Sequence, residues 1–370
     1  TKRSFGPRNT MKKTRSLVLL ALATACALAP CVAMAKKKPS SQSPAAKATN
    51  TGPLYERRSD AMAAAEEIAQ RRGLDVQWVR HSIAGARFNA AVAKAIAPPA
   101  VGQPKNWAVY RSRFIDPVRI RAGVAFWRAN RETLARAQEL TGVPAAIVVG
   151  IVGVETIYGQ QTGNFRVMDA LCTLAFDFPS AHPKAAARAA FFRSELEEFL
   201  VLTQRTGTNP LALRGSYAGA LGWPQFMPSS WSRYAVDFDG DGRIDLFNSP
   251  ADVIGSVANY FKEFQWKRDI PTHFEVTLDP QKIDLAALLE PDILPTFTPD
   301  EFKARGALLE PAGQTHTGRL ALIELQNGGN PPRYVAGTEN FYAITRYNWS
   351  SYYAMAVIEL GQEVAAAMPE

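Results

Sequence analysis

Apolar positions recur every three or four residues from about residue 60 to 266, and helices are the elements this predicts. Ser59 or Asp60 is placed to cap a helix that stops at Gly73, and Asp75 to cap the next. Asp116 followed by Pro117 joins a cap to a first-turn proline, and predicts one long amphipathic helix to about Leu140. The segment 145–158 is apolar nearly all round, so its helix belongs inside a core.

After Trp266 the period changes. The segments 273–277, 320–325 and 333–335 read as strands, with Gln326-Asn327-Gly328-Gly329-Asn330 as a hairpin turn signal between two of them. Thr298-Pro299 opens a short helix, and a final helix spans about 350–367. The expectation is a mainly α (α+β) chain, a helical body with a small β unit inserted before the C-terminal segment. The units expected are 55–105 (N-terminal helices), 106–266 (core), 267–338 (β-containing) and 339–370 (a return to the core).

The N-terminus has a different character. Lys12-Lys13-Thr14-Arg15, an apolar run over 17–29 and Ala33-Met34-Ala35 form a secretory signal pattern, with cleavage expected after Ala35. The apolar run is too short for a spanning helix. Neither Cys26 nor Cys31 has a lipobox before it. Residues 36–54 are Pro/Ser/Ala-rich and read as a disordered tether. Removing residues 1–35 takes away six basic residues and no acid. It leaves 36 Lys/Arg against 34 Asp/Glu, so the formal +8 of the whole chain gives no case for a nucleic-acid partner. Only Cys172 then remains, read as a small buried side chain. The four histidines have no zinc-ligand spacing.

Three segments carry candidate chemistry. Glu155 is the only charged residue between Leu140 and Arg166, late in the apolar helix. Desolvation there, and the helix C-terminus, raise a carboxyl pKa, as a general acid working near neutral pH requires. A structural glutamate with a buried partner is the alternative. Next, 215–231 (GSYAGALGWPQFMPSSW) combines glycines, hydroxyls, the lone amide Gln225 and three rings, Tyr217, Trp223 and Trp231, suited to stacking on sugars. Core aromatics in a Gly-rich loop would look the same. Third, Asp237, Asp239, Asp241 and Asp245, with Gly242 and Ile244, match the start of an EF-hand loop, to which Arg243 would add its carbonyl. Four carboxylates so close repel one another unless a cation sits among them. Position 12 is Asn248 rather than Glu, which makes Asp252 the replacement ligand.

Taken together these segments resemble the B family of membrane-bound lytic murein transglycosylases. The matching strings are GVPAAIVVGIVGVETIYGQ (142–160), DALCTLAFD (169–177), the 215–231 loop, YAVDFDGDGRIDL (234–246), IGSVANYF (254–261) and NFYAITRYN (340–348). The resemblance implies a lysozyme-like core, a structural Ca²⁺, no organic cofactor, and Glu155 as the single catalytic acid/base. It implies cleavage of the MurNAc–GlcNAc bond of peptidoglycan to a 1,6-anhydroMurNAc end, aided by the substrate's acetamido group. Ser216 and Gln225 fall on the family's sugar-binding loop, and Tyr110, Arg188, Tyr260 and Tyr347 where it lines its cleft. Metal ligands fall on Asp237, Asp239, Asp241, Arg243 and Asp252. Before Asp252, Ser249-Pro250-Ala251 is one residue longer than the family's pattern. A periplasmic monomer acting on glycan strands is expected, with peripheral association with the outer membrane or cell-wall machinery. The alternatives are a hydrolytic muramidase, with Asp169 or Asp177 as its second carboxylate, and a non-catalytic, calcium-stabilised peptidoglycan-binding module.

Overall fold

Two glycines set the centre of the molecule. Gly150 lies on the central helix (Ala145–Thr156) and Gly361 on the C-terminal helix (Ser351–Ala366). A Cβ on Gly150 would stand 2.2 Å from the Val357 carbonyl oxygen, and one on Gly361 2.1 Å from that of Ala146. The two helices therefore run antiparallel with backbones in contact, an approach only glycine permits. All residues of the central helix except Ala146 and Glu155 are buried, as its all-round apolar pattern requires.

The computed structural model describes residues 50–98 and 104–368. The expected signal segment 1–35 and most of the expected tether lie outside them. The end of the tether, 50–54, is packed on the body: Asn50 Nδ2 donates to Asp169 Oδ2 (3.0 Å) and Leu54 forms a β-bridge with Arg87.

Most of the expected helix ends are found. Gly73 (φ 64°) and Gly142 (φ 76°) close helices in the left-handed conformation, and Asp75, Asp116, Thr298 and Ser350 accept backbone N–H bonds as caps. Two expectations need correction. The first helix (Ser59–Arg72) has Arg58 at its cap position with no side-chain cap bond, and Asp60 pairs with Arg58 instead. The long helix expected from Pro117 breaks into Pro117–Ala129 and Arg131–Thr141. Asn130 turns the chain there (φ −123°, ψ 24°), its amide donating to the Phe126 carbonyl.

The three expected strands are present as His273–Leu278, Ala321–Asn327 and Asn330–Gly337, and Ala307–Leu309 adds a fourth. The order in the antiparallel sheet is 307–309, 273–278, 330–337, 321–327. Both faces are covered. Ala321, Ile323, Leu325 and Val335 join the main core, while Phe274, Leu322 and Ala336 join a second cluster with Leu288, Phe302 and Leu309. The period of two along Ala321–Leu325 thus divides one apolar run between two cores. A separate two-residue pairing, Phe165–Arg166 with Arg214–Gly215, sets the 215–231 loop beside the chain leaving the central helix.

Candidate active site

The central helix ends in a turn of unusual backbone. Ile157, Tyr158 and Gly159 all have positive φ (50°, 54° and 85°), a conformation costly for the branched and aromatic residues. Thr156 holds this turn: its hydroxyl donates to the Trp223 carbonyl (2.9 Å) and accepts from Gly159 N (3.0 Å). The Trp223 ring lies on Gly159, where a Cβ would fall 2.3 Å from it. Strain at this helix end, which begins two residues beyond Glu155, is thereby fixed against the 215–231 loop.

Glu155 lines a cleft of about 150 Å³ with Ser216, Gln225, Tyr260 and Tyr347, all expected from the sequence. Tyr217, Met227, Ser230, Arg346 and Asn348 complete much of the wall, and Glu155 is its only carboxylate among the described residues. Burial pushes the carboxyl from its ordinary 4.5 up to about 7, and a hydrogen bond from Tyr353 opposes the rise. The Tyr353 hydroxyl donates to Glu155 Oε1 at 2.5 Å. Continuing the antiparallel register set by Gly150 and Gly361 brings Tyr353 opposite Glu155. Sequence reasoning missed this partner, because the signal was a glycine match between two helices two hundred residues apart.

The polar groups of the wall have defined roles. Gln225 (φ 51°) donates through Nε2 to the carbonyls of Thr162 (3.1 Å) and Gly222 (2.9 Å). Both amide protons are used, so Oε1 is left as an acceptor. Ser216 Oγ accepts from Ala220 N (3.0 Å), which leaves its proton to donate. The Tyr260 hydroxyl donates to the Arg346 carbonyl (2.6 Å) and that of Tyr347 to the Pro224 carbonyl (2.5 Å), so these two contribute rings rather than hydroxyls. Tyr347 stacks on Tyr353, with ring planes 16° apart. Burial, then the Glu155 charge, holds the Tyr347 hydroxyl well above its ordinary value.

Other expected residues lie elsewhere. Arg188 does not line the cleft; it stands near Tyr217, and burial lowers its pKa. Tyr110 lines a separate depression of about 700 Å³ with Trp349 and Tyr352, because its helix (Trp107–Arg111) packs on the C-terminal segment. Trp223 and Trp231, read as sugar-stacking, are scaffold. Trp223 packs on Phe126 and Gly159, and Trp231 is buried against Phe247. Cys172 is fully buried. Asp169 receives Arg166, Asn50 and the Arg87 N–H, and Asp177 receives Tyr55 and Arg58. Both bind the N-terminal arm, and neither lines the cleft with Glu155.

The Asp-rich loop converges on one point. Ligand oxygens of Asp237, Asp239 and Asp252 lie within 4.8 Å of one another. The Asp252 carboxylate spans the loop, accepting from Phe238 N and Asp245 N, both at 2.7 Å. Burial, with the Asp239 charge adding to it, raises the Asp252 pKa despite these bonds. Three hard oxygen donors, one held in a buried position, suit Ca²⁺. The Asp241 carboxylate is not among these three; it lies at the exposed tip, where it accepts from Arg243 N (2.8 Å). Asn248 bonds Asp245. Ser249 caps the helix Pro250–Glu263, which has Asp252 in its first turn and carries Tyr260 into the cleft.

A family model described as the transglycosylase SLT domain matches residues 57–362. The membrane-bound lytic murein transglycosylase B of Escherichia coli (strain K12) is 38% identical over 318 residues, which cover 82% of this chain and 81% of that protein. Among solved structures, soluble lytic transglycosylase SltB1 from Pseudomonas aeruginosa is 40% identical, with TM-score 0.75, over 83% of this chain and 99% of that one. The Escherichia coli lytic transglycosylase Slt35 in complex with calcium is 37% identical, with TM-score 0.74, over 85% of this chain and 96% of that one. SltB3 from Pseudomonas aeruginosa, in complex with NAG-NAM-pentapeptide, is 31% identical, with TM-score 0.69, over 83% of this chain and 79% of that one. The mainly helical, lysozyme-like architecture expected from the sequence is the one these neighbours share. The chain belongs to the transglycosylase SLT family.

Proposed function

We propose that this chain is a lytic transglycosylase that cleaves the MurNAc–GlcNAc β-1,4 bond of peptidoglycan, with Glu155 as both acid and base. The observation that carries the reading is that one carboxyl, its pKa raised to about 7, lines the cleft with no second acid among the described residues. Protonated Glu155 gives its proton to the glycosidic oxygen as the bond to C1 breaks. The MurNAc acetamido carbonyl stabilises the positive charge at C1. The Glu155 carboxylate, held by Tyr353, then removes the C6 hydroxyl proton and that oxygen closes on C1. The product is a 1,6-anhydroMurNAc end, and no water is consumed. Gln225 Oε1 accepts an acetamide N–H, Ser216 donates to a sugar oxygen, and Tyr260 and Tyr347 pack against the rings. Arg188 supports Tyr217, and Tyr110 meets the strand beyond the cleft.

A muramidase that uses water needs a partner carboxylate about 5–9.5 Å from the acid. Asp169 and Asp177 are engaged by the N-terminal arm, which favours the transglycosylase reading. A non-catalytic binding module gives no reason for an isolated acid with a raised pKa. Bound Ca²⁺ would neutralise Asp237, Asp239 and Asp252, with Asp241 and the Arg243 carbonyl as further ligands, and fix the loop to the Tyr260 helix. We divide the chain into units 55–105, 106–266, 267–338 and 339–370, and place it in the periplasm on glycan strands. Turnover of purified sacculi tests the function. The wild-type chain releases soluble fragments, and Glu155→Gln loses at least ~10²-fold. Near-normal release by that variant would exclude the assignment.

A further inference from the structure

One buried acid near the cleft has no part in the chemistry above. Glu195 lies on the long helix Ala185–Arg205 and is 2% exposed, among Phe192, Leu196 and Phe199. Burying a carboxylate on an apolar helix face costs free energy unless its oxygens are satisfied. Both oxygens go to one residue. Glu195 Oε1 accepts from the Ser229 hydroxyl (2.6 Å), and Oε2 from Ser229 N (2.9 Å). Ser229 is in the first turn of Pro228–Tyr234, directly after Gln225, Phe226 and Met227. Met227, two residues before it, and Ser230, directly after it, both line the cleft. The two serines divide the work: Ser230 faces the cleft and Ser229 faces back onto the helix. Seven residues earlier, two turns along the same helix face, Arg188 stands near Tyr217 at the other end of the loop. One face of this helix therefore backs the 215–231 loop at two points.

We propose that Glu195 is a positioning residue for the cleft: its two bonds to Ser229 hold the rim 225–230 in the form that receives the glycan. The proposal rests on the lytic transglycosylase reading and deepens it. Glutamine at 195 has an oxygen for Ser229 N and an amide that donates to the Ser229 hydroxyl, so it can keep both bonds without charge. Alanine keeps neither. Displacing a group that positions substrate costs tenfold or more even when it lies away from the reacting atoms.

The test uses a defined tetrasaccharide of alternating GlcNAc and MurNAc. Its turnover by the wild-type chain is measured first, and its binding is then measured by calorimetry in a Glu155→Gln background. Glu195→Ala is expected to raise KM and weaken binding at least ~10-fold, with a smaller fall in kcat. Ser229→Ala, which keeps the N–H bond, is expected to lie between, and Glu195→Gln to stay within about threefold of wild type. Measurements are made well below each variant's melting temperature. Wild-type KM and affinity in Glu195→Ala, with only a lowered melting temperature, would overturn the proposal. So would a Glu195→Gln variant as impaired as Glu195→Ala. Binding that follows these expectations while the wild-type chain turns nothing over would overturn the activity reading and leave the positioning role in place.

Discussion

Replacing Glu155 by glutamine should make the protein more stable in alkaline solution while abolishing turnover. Folding holds the Glu155 proton to about pH 7, whereas an ordinary carboxyl gives it up near 4.5. Its protonated form therefore contributes stability that is full below pH 4.5 and is lost as pH rises through 7. At ~1.36 kcal/mol per unit, the interval corresponds to roughly 3 kcal/mol. The residue is only half-buried and water reaches the cleft, so about 1–3 kcal/mol is expected. Glutamine has no proton to lose, and its carbonyl oxygen can still accept from Tyr353. Urea unfolding of both proteins at pH 4 and pH 8, at constant calcium, provides the assay. Buried Glu195 and Asp252 titrate in both proteins, so the difference between them isolates Glu155. The variant should gain on the wild type between pH 4 and pH 8. A difference in midpoint that is the same at both pH values would refute a raised Glu155 pKa.

Tyr353→Phe removes the bond that opposes the rise, so the alkaline limb of the kcat/KM profile should move up by about one pH unit. An unmoved limb would separate Tyr353 from the acid. Saturating calcium, at ~100 times its dissociation constant, should stabilise the chain by about 2.7 kcal/mol over a chelated, metal-free sample. Calorimetry reads this, and identical melting curves would argue against the site built on Asp237, Asp239 and Asp252.

Much of the fold was legible because its helix ends are written in single residues. Asp75, Asp116, Thr298 and Ser350 start helices by capping, and Gly73 and Gly142 end them. The break at Asn130 was not legible, since neither proline nor glycine marks it. The three residues of Ala307–Leu309 are too few to show a period. Glu155 stood out because it is the one charge in an apolar run. Its partner did not, because Tyr353 meets it only through the packing of Gly150 and Gly361. Rings in a Gly-rich loop likewise do not reveal which way they face: Tyr217 faces the cleft, while Trp223 and Trp231 face the scaffold. Tyr110, expected in the cleft from the family resemblance alone, lines a separate depression because its helix packs on the C-terminal segment.

The identity of the new chain end tests the central claim most directly. Among the described residues the cleft offers one acid and no second carboxylate, and the tethered C6 hydroxyl attacks with the advantage of an intramolecular group. Sacculi are digested with the purified chain in ¹⁸O-labelled water, without a reducing step, and the products are weighed. The account predicts 1,6-anhydroMurNAc ends, one water lighter than the hydrolytic product and free of label. Reducing MurNAc ends carrying ¹⁸O would contradict it.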